Sequence, residues 1–264
     1  MTTLTGRLGE VPADYFSRFR PPPEGGRASA VLMLFGPGDG DGDGDDVVLT
    51  ERSSRMRSHP GQVSFPGGRL DPHDAGPASA AMREAREEVG LTDTGVKIVA
   101  ELPELYLPVS DSAVTPVLAW WATPRPLRVR SPEEVERVIR VPVDDLVEPA
   151  NRFTVSHPSG YRGPGFETPQ VYVWGFTAGL LAKVLELAGL ERDWDRSVHR
   201  PLPERFSPRL VTAGVTAGAP GGSGSATPSE HGRSIAVATS PTGSGNDESL
   251  PADSPLLRPA EGSR

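Results

Sequence analysis

The stretch FPGGRLDPHDAGPASAAMREAREEVGL, residues 65–91, divides into a turn-forming half and a helix-forming half. Pro66, Gly67, Gly68, Pro72 and Gly76 punctuate the first, and Pro77 stands where the first turn of a helix tolerates a missing N–H. The spacing predicts a helix from about Pro77 to Val89, with Ala78, Ala81, Met82, Ala85 and Val89 on one apolar stripe and Gly90 as the stop. Small alanines on that stripe let the helix lie close against a sheet. The other side of the helix is unusual. Glu84, Glu87 and Glu88 crowd its last two turns, where the backbone already carries partial negative charge, and spacings of three and four residues set the carboxylates side by side. Expected on an exposed face, they need a partner that offsets their repulsion.

Working outward, ASAVLMLF (28–35) and DVVLTERS (46–53) read as strands. Between them, GPGDGDGDGDD can only be a loop. Asp39, Asp41, Asp43 and Gly44 match the opening of an EF-hand calcium loop, but position twelve is Thr50 where a Glu belongs, and strands flank it where helices should. A hairpin connection is the expectation. Downstream, VKIVAELPELYL, AVTPVLAWWA, VERVIRVPVDDL, NRFTVS and PQVYVWGF carry strand character, and TAGLLAKVLELAGL reads as a second helix ending at Gly189. The mixture of strands and helices lacks a regular βαβ rhythm. Residues 1–27 form a Pro-rich lead-in, 28–211 the expected domain, and 212–264 a Gly/Ser/Pro-rich tail without one aromatic residue, expected to be disordered.

A chain of 264 residues can bury one sizeable core, and its net charge of −8 argues against a nucleic-acid partner held by overall field. With no cysteine, disulfides, thiolate metal sites and cysteine nucleophiles are excluded. No segment has the apolar length of a membrane span or a secretory signal, so the expectation is a cytoplasmic protein without a membrane partner. Monomer and homodimer are both left open.

Glu84, Glu87 and Glu88 offer oxygen ligands suited to hard cations such as Mg²⁺ or Mn²⁺, which would reverse the repulsion between carboxylates and a diphosphate. Gly67 and Gly68 permit close backbone approach, and Arg83 can hold a carboxylate in a ligating rotamer. A solvated acidic face is the plain alternative, and on charge pattern alone it stays open.

The ordered context narrows the choice. PGG, a loop, then REAREEVGL resembles the Nudix box, Gly-x5-Glu-x7-Arg-Glu-U-x-Glu-Glu-x-Gly-U with U apolar, and Arg83, Glu84, Ala85, Glu87, Glu88, Gly90 and Leu91 all fit. The front of the box departs from the pattern: Asp74 replaces Glu, five residues after Gly68 but eight, instead of seven, before Arg83. Upstream, VLTERSSRMRSHPGQVSFPGG resembles the second signature of Nudix hydrolases that cleave coenzyme A, matching at Leu49, Thr50, Arg52, Ser53, Arg57, Gly61, Phe65, Pro66, Gly67 and Gly68.

The resemblance implies an α/β Nudix fold, a mixed β-sheet sandwiched between α-helices. It also implies hydrolysis of the diphosphate of coenzyme A or its thioesters, with Mg²⁺ or Mn²⁺ on Glu84, Glu87 and Glu88. Guanidinium forks suit phosphate, so Arg52 and Arg57 are candidates for the 3′-phosphate of coenzyme A, with His59 either donating to phosphate or ordering its turn. A Glu outside the box often serves as base or assists the metals in this family; Glu134, followed by Val135, fits best among Glu133, Glu134 and Glu136, and Glu87 or Glu88 can do both jobs. Two rival readings are a Nudix hydrolase of another nucleoside diphosphate derivative and a non-catalytic nucleotide sensor.

Overall fold

The protein is described by a computed structural model covering residues 6–8, 11–12, 15–16, 25–38, 44–56, 58–108, 110–156 and 160–206. The expected disordered tail, the aspartates 39, 41 and 43, and Arg57 lie outside the described residues.

The alternating apolar residues of strand β1 (Arg27–Pro37) build the molecule's two layers. On one face Ala30, Leu32 and Leu34 join Val48, Val117, Ala119 and Trp121 beneath helix α1 (Pro77–Val89). On the other, Met33 and Phe35 join Val47, Leu49, Leu118 and Trp120 against helix α2 (Gly175–Ala188). Helix α1 occupies the span that periodicity predicts, and α2 ends at Gly189 as predicted but begins two residues earlier, at Gly175. The central sheet is mixed: β1 pairs antiparallel with β2 (Asp45–Arg52) and parallel with β3 (Ser112–Trp121), Phe35 facing Trp120. The β1–β2 connection is a hairpin closed by Gly38 N–H donating to Gly44 O. Strand β4 (Val135–Pro142) pairs with β2, and β5 (Val96–Glu101) with β3.

The stretch expected as one strand over 96–107 breaks at Leu102, and only Tyr172–Val173 of PQVYVWGF is extended before α2 begins. A strand that the reading missed, Arg162–Glu167, belongs to a second sheet, where it pairs with Arg152–Ser156. Its GPG core reads as a turn, yet a Cβ on Gly165 would lie 2.5 Å from the Phe153 ring, so glycine there admits the neighbouring strand's side chains. Of the lead-in, Leu8, Val11, Tyr15 and Phe16 pack against the larger core.

Helix α1 begins at Gly76 without a side-chain cap of its own. Glu101, at the end of β5, supplies one from outside by accepting the Ala78 N–H at 3.1 Å. Glu101→Ala is expected to cost about 1 kcal/mol, the usual worth of an N-terminal cap, measured by urea denaturation with the slope unchanged.

Candidate active site

The candidate site is assembled where α1 passes over the Gly67–Arg69 strand, which pairs antiparallel with β1 at Ser29–Val31. That crossing is close. A Cβ on Gly67 would lie 2.3 Å from Ala30 O, and one on Gly68 would lie 2.5 Å from the Glu84 carboxyl carbon, so the paired glycines make room for the backbone on one side and a carboxylate on the other. Arg83 ties the region together. Its guanidinium donates to Asp74 at 3.0 and 3.2 Å, to Glu84 at 2.9 Å, to Glu87 at 3.1 Å and to Arg69 O at 2.9 Å.

Asp74 is thereby given a role that the sequence could not assign. Its side chain is 4% exposed, accepts the Asp71 N–H at 2.8 Å, and is held below the usual carboxylate range first by Arg83 and then by that N–H. From the 71–76 turn Asp74 thus anchors Arg83.

The carboxylates do not share one exposed face. Glu87 is exposed, its side chain at 58%, but Glu88 is buried at 6%. The buried positions of α1 are Ala80, Ala81, Ala85, Glu88 and Val89, with Ala78 and Met82 only partly covered. The correction has a clear cause: Glu88 turns under the helix to accept the Gly67 N–H at 3.0 Å. Burial pushes its carboxyl up to about 8, opposed by that N–H and by Arg52, while Glu84 and Glu134 add like-charge repulsion. Burial also raises Glu84, against the pull of Arg83, with Glu87 and Glu134 pushing the same way as burial.

Glu134 is therefore within electrostatic reach of both Glu84 and Glu88, although some fifty residues separate them in sequence. Its loop is fixed by Ser53 N–H donating to Glu134 O at 2.8 Å, and Ser131 Oγ lies 3.3 Å from Glu134 Oε2. Glu133 instead pairs with Arg55 on the surface, and Glu136 is exposed on β4.

Arg52 lies within reach of Glu88 and of His59, and its buried Nε has no hydrogen-bond partner among the described residues. His59 adopts a left-handed φ of 55°, two residues before Gly61, whose N–H closes the turn onto Arg52 O. Partial burial and the Arg52 charge hold the imidazole below its usual range, against a hydrogen bond with Gln62. Backbone strain in a non-glycine residue beside a guanidinium with a buried, unpartnered Nε is the kind of local cost found at ligand sites.

The donor set suits a hard divalent cation: like charges from neighbouring carboxylates help to raise Glu84 and Glu88, and a cation between them would relieve that. In the arrangement described, Arg83 draws Glu84 and Glu87 to one side while Glu88 faces Gly67. Among the described residues no three acidic or imidazole side chains converge on a single point. Binding a cation thus requires Glu87 to leave Arg83, a rotamer change open to an exposed side chain.

Residues 26–160 match the NUDIX domain family. The chain is 36% identical over 153 residues to NudL of Enterobacter sp. (strain 638), an uncharacterized Nudix hydrolase, covering 55% of this chain and 76% of that protein. It is 32% identical over 199 residues to Nudix hydrolase 3 of Caenorhabditis elegans, covering 68% and 81%. Among solved structures, a Nudix hydrolase from M. smegmatis, RenU, superposes with a TM-score of 0.43 at 20% identity, over 67% of this chain and 97% of that one.

Proposed function

The chain belongs to the NUDIX family and has its α/β fold, and from that premise we propose that it hydrolyses the diphosphate of coenzyme A or its thioesters. The products are 3′,5′-ADP and 4′-phosphopantetheine or its acyl form. The observation that carries the reading is Arg52: it belongs to the coenzyme A-type signature upstream, and its guanidinium, with a buried Nε that has no partner among the described residues, lies within electrostatic reach of Glu88.

Glu84, Glu87 and Glu88 would hold Mg²⁺ or Mn²⁺, which when bound neutralises phosphoryl charge and makes water nucleophilic at neutral pH. The chain's own groups do the positioning. Arg83 restrains Glu84 through a fork shared with Asp74, and Gly67 N–H orients Glu88. Arg52 would donate guanidinium N–H groups to a phosphate oxygen of the diphosphate, with His59 beside it. Glu134, within electrostatic reach of Glu84 and Glu88, would take a proton from the attacking water.

The test is incubation of the purified protein with coenzyme A and Mg²⁺ or Mn²⁺, with mass spectrometry for 3′,5′-ADP. Product is expected with metal, is lost in EDTA, and returns when metal is restored in excess. Absence of 3′,5′-ADP with either metal overturns the assignment of substrate; turnover of a different nucleoside diphosphate under the same conditions would replace it.

A further inference from the structure

The placement of Arg52 leaves a question within this reading. With Arg52 assigned to the diphosphate in that reading, the 3′-phosphate on the ribose of coenzyme A calls for a further group, and Arg57, the other candidate from the sequence, lies outside the described residues. The loop PRPLRVR, residues 124–130, carries Arg125, Arg128 and Arg130, all exposed. Arg55, Arg83, Arg86, Arg137, Arg152 and Arg200 each meet a carboxylate. Arg125, Arg128 and Arg130 make no ion pair and no side-chain hydrogen bond with any described residue. These are three exposed cations within six residues, none in an ion pair with a described residue, in a chain of net charge −8.

Their position is anchored to the candidate site. Arg128 N–H donates to Val89 O at 3.1 Å and Arg130 N–H to Glu88 O at 2.8 Å, so the loop's backbone satisfies carbonyls at the end of the helix that carries the glutamates. The Arg130 side chain lies over Gly90, where an added Cβ would come within 3.1 Å of Nε. Ser131, the next residue, contacts Glu134. Two prolines and Leu127, packed on the smaller core, restrict the loop, which lowers the entropy lost when it binds a ligand.

We propose that Arg128 and Arg130, supported by Arg125, form a phosphomonoester-binding rim that reads the phosphate remote from the bond being cleaved. The inference rests on the reading of the chain as a hydrolase of coenzyme A, and it moves recognition of the 3′-phosphate from the Arg52 loop to this one. A structural role, in which the arginines only balance the negative end of α1, is the competing account.

The two accounts separate by substrate. Initial rates are measured on coenzyme A and dephospho-coenzyme A for the wild type, Arg128→Gln, Arg130→Gln and the double variant, with melting temperatures as a folding control. The wild type is expected to favour coenzyme A. Each substitution lowers that preference about tenfold, through KM more than kcat, as loss of one charge-assisted phosphate contact should; Arg130→Lys restores part of it. Equal losses on both substrates, or a wild type indifferent to the 3′-phosphate, overturn the rim. If the wild type turns over neither substrate, the proposed function falls separately, and calorimetric titration with adenosine 3′,5′-bisphosphate and adenosine 5′-monophosphate decides the rim. Tighter binding of the bisphosphate by the wild type, reduced in the double variant, supports it, and no difference overturns it.

Discussion

Glu88→Gln is expected to hydrolyse coenzyme A at least about a hundredfold more slowly while folding more stably than the wild type when metal is absent. The rate falls because the amide keeps the shape of the side chain, and its acceptor for Gly67 N–H, but loses the charge that a divalent cation requires. The stability change has the opposite sign. In the unfolded chain Glu88 ionises near 4.5 and in the folded chain near 8, so between these values the folded state binds more protons and stability falls as pH rises. Above pH 8 the full cost of a buried, repelled carboxylate is present, and glutamine removes it. A gain of about 1–3 kcal/mol, or several degrees in Tm, is expected at pH 8 in EDTA, shrinking toward pH 4.5. Glu87→Gln should lose activity to a similar degree. Near-wild-type turnover of both variants at saturating metal would remove Glu87 and Glu88 from the site.

Arg83→Ala is the second large effect, a loss of about ten- to a hundredfold in kcat/KM at limiting metal, the range seen when groups that orient metal ligands are removed. The guanidinium spans Asp74, Glu84, Glu87 and Arg69 O at once. Without it Glu84 loses its restraint and Asp74 is left with the Asp71 N–H alone. Arg83→Lys should recover little, because a single ammonium cannot reproduce the fork to Asp74 and still reach Glu84. The measurement is kcat/KM across a Mn²⁺ titration. A metal dependence identical to wild type would show that Arg83 serves the fold alone, and an unchanged rate would show that it serves neither purpose.

Glu134 shows how much of the site is invisible along the chain. It is one of three glutamates in SPEEVERV, set apart in the sequence only by the Val135 that follows it. Tertiary structure separates them through the 131–135 turn, which puts Glu133 on Arg55 and Glu134 toward Glu84 and Glu88. Asp74 is a similar case: its departure from the expected spacing is readable, but its use as the buried anchor of Arg83 follows only from the fold of the 71–76 turn.

Helix α1, its stop at Gly90, the second helix and the hairpin after β1 were determined by the sequence itself, because side-chain period and turn chemistry act over a few residues. The family, too, was legible in the ordered glycines, arginine and glutamates of residues 65–91. What only the tertiary structure decided is which carboxylates are dry. Glu87 and Glu88 are adjacent in sequence, and one faces water while the other lies over Gly67, since a carboxylate's burial depends on a strand twenty residues away that comes close only where glycine leaves space. The same physics placed Glu101 at the start of α1 and the GPG of Arg162–Glu167 in a strand: each is a contact between distant segments, and local periodicity carries no record of it.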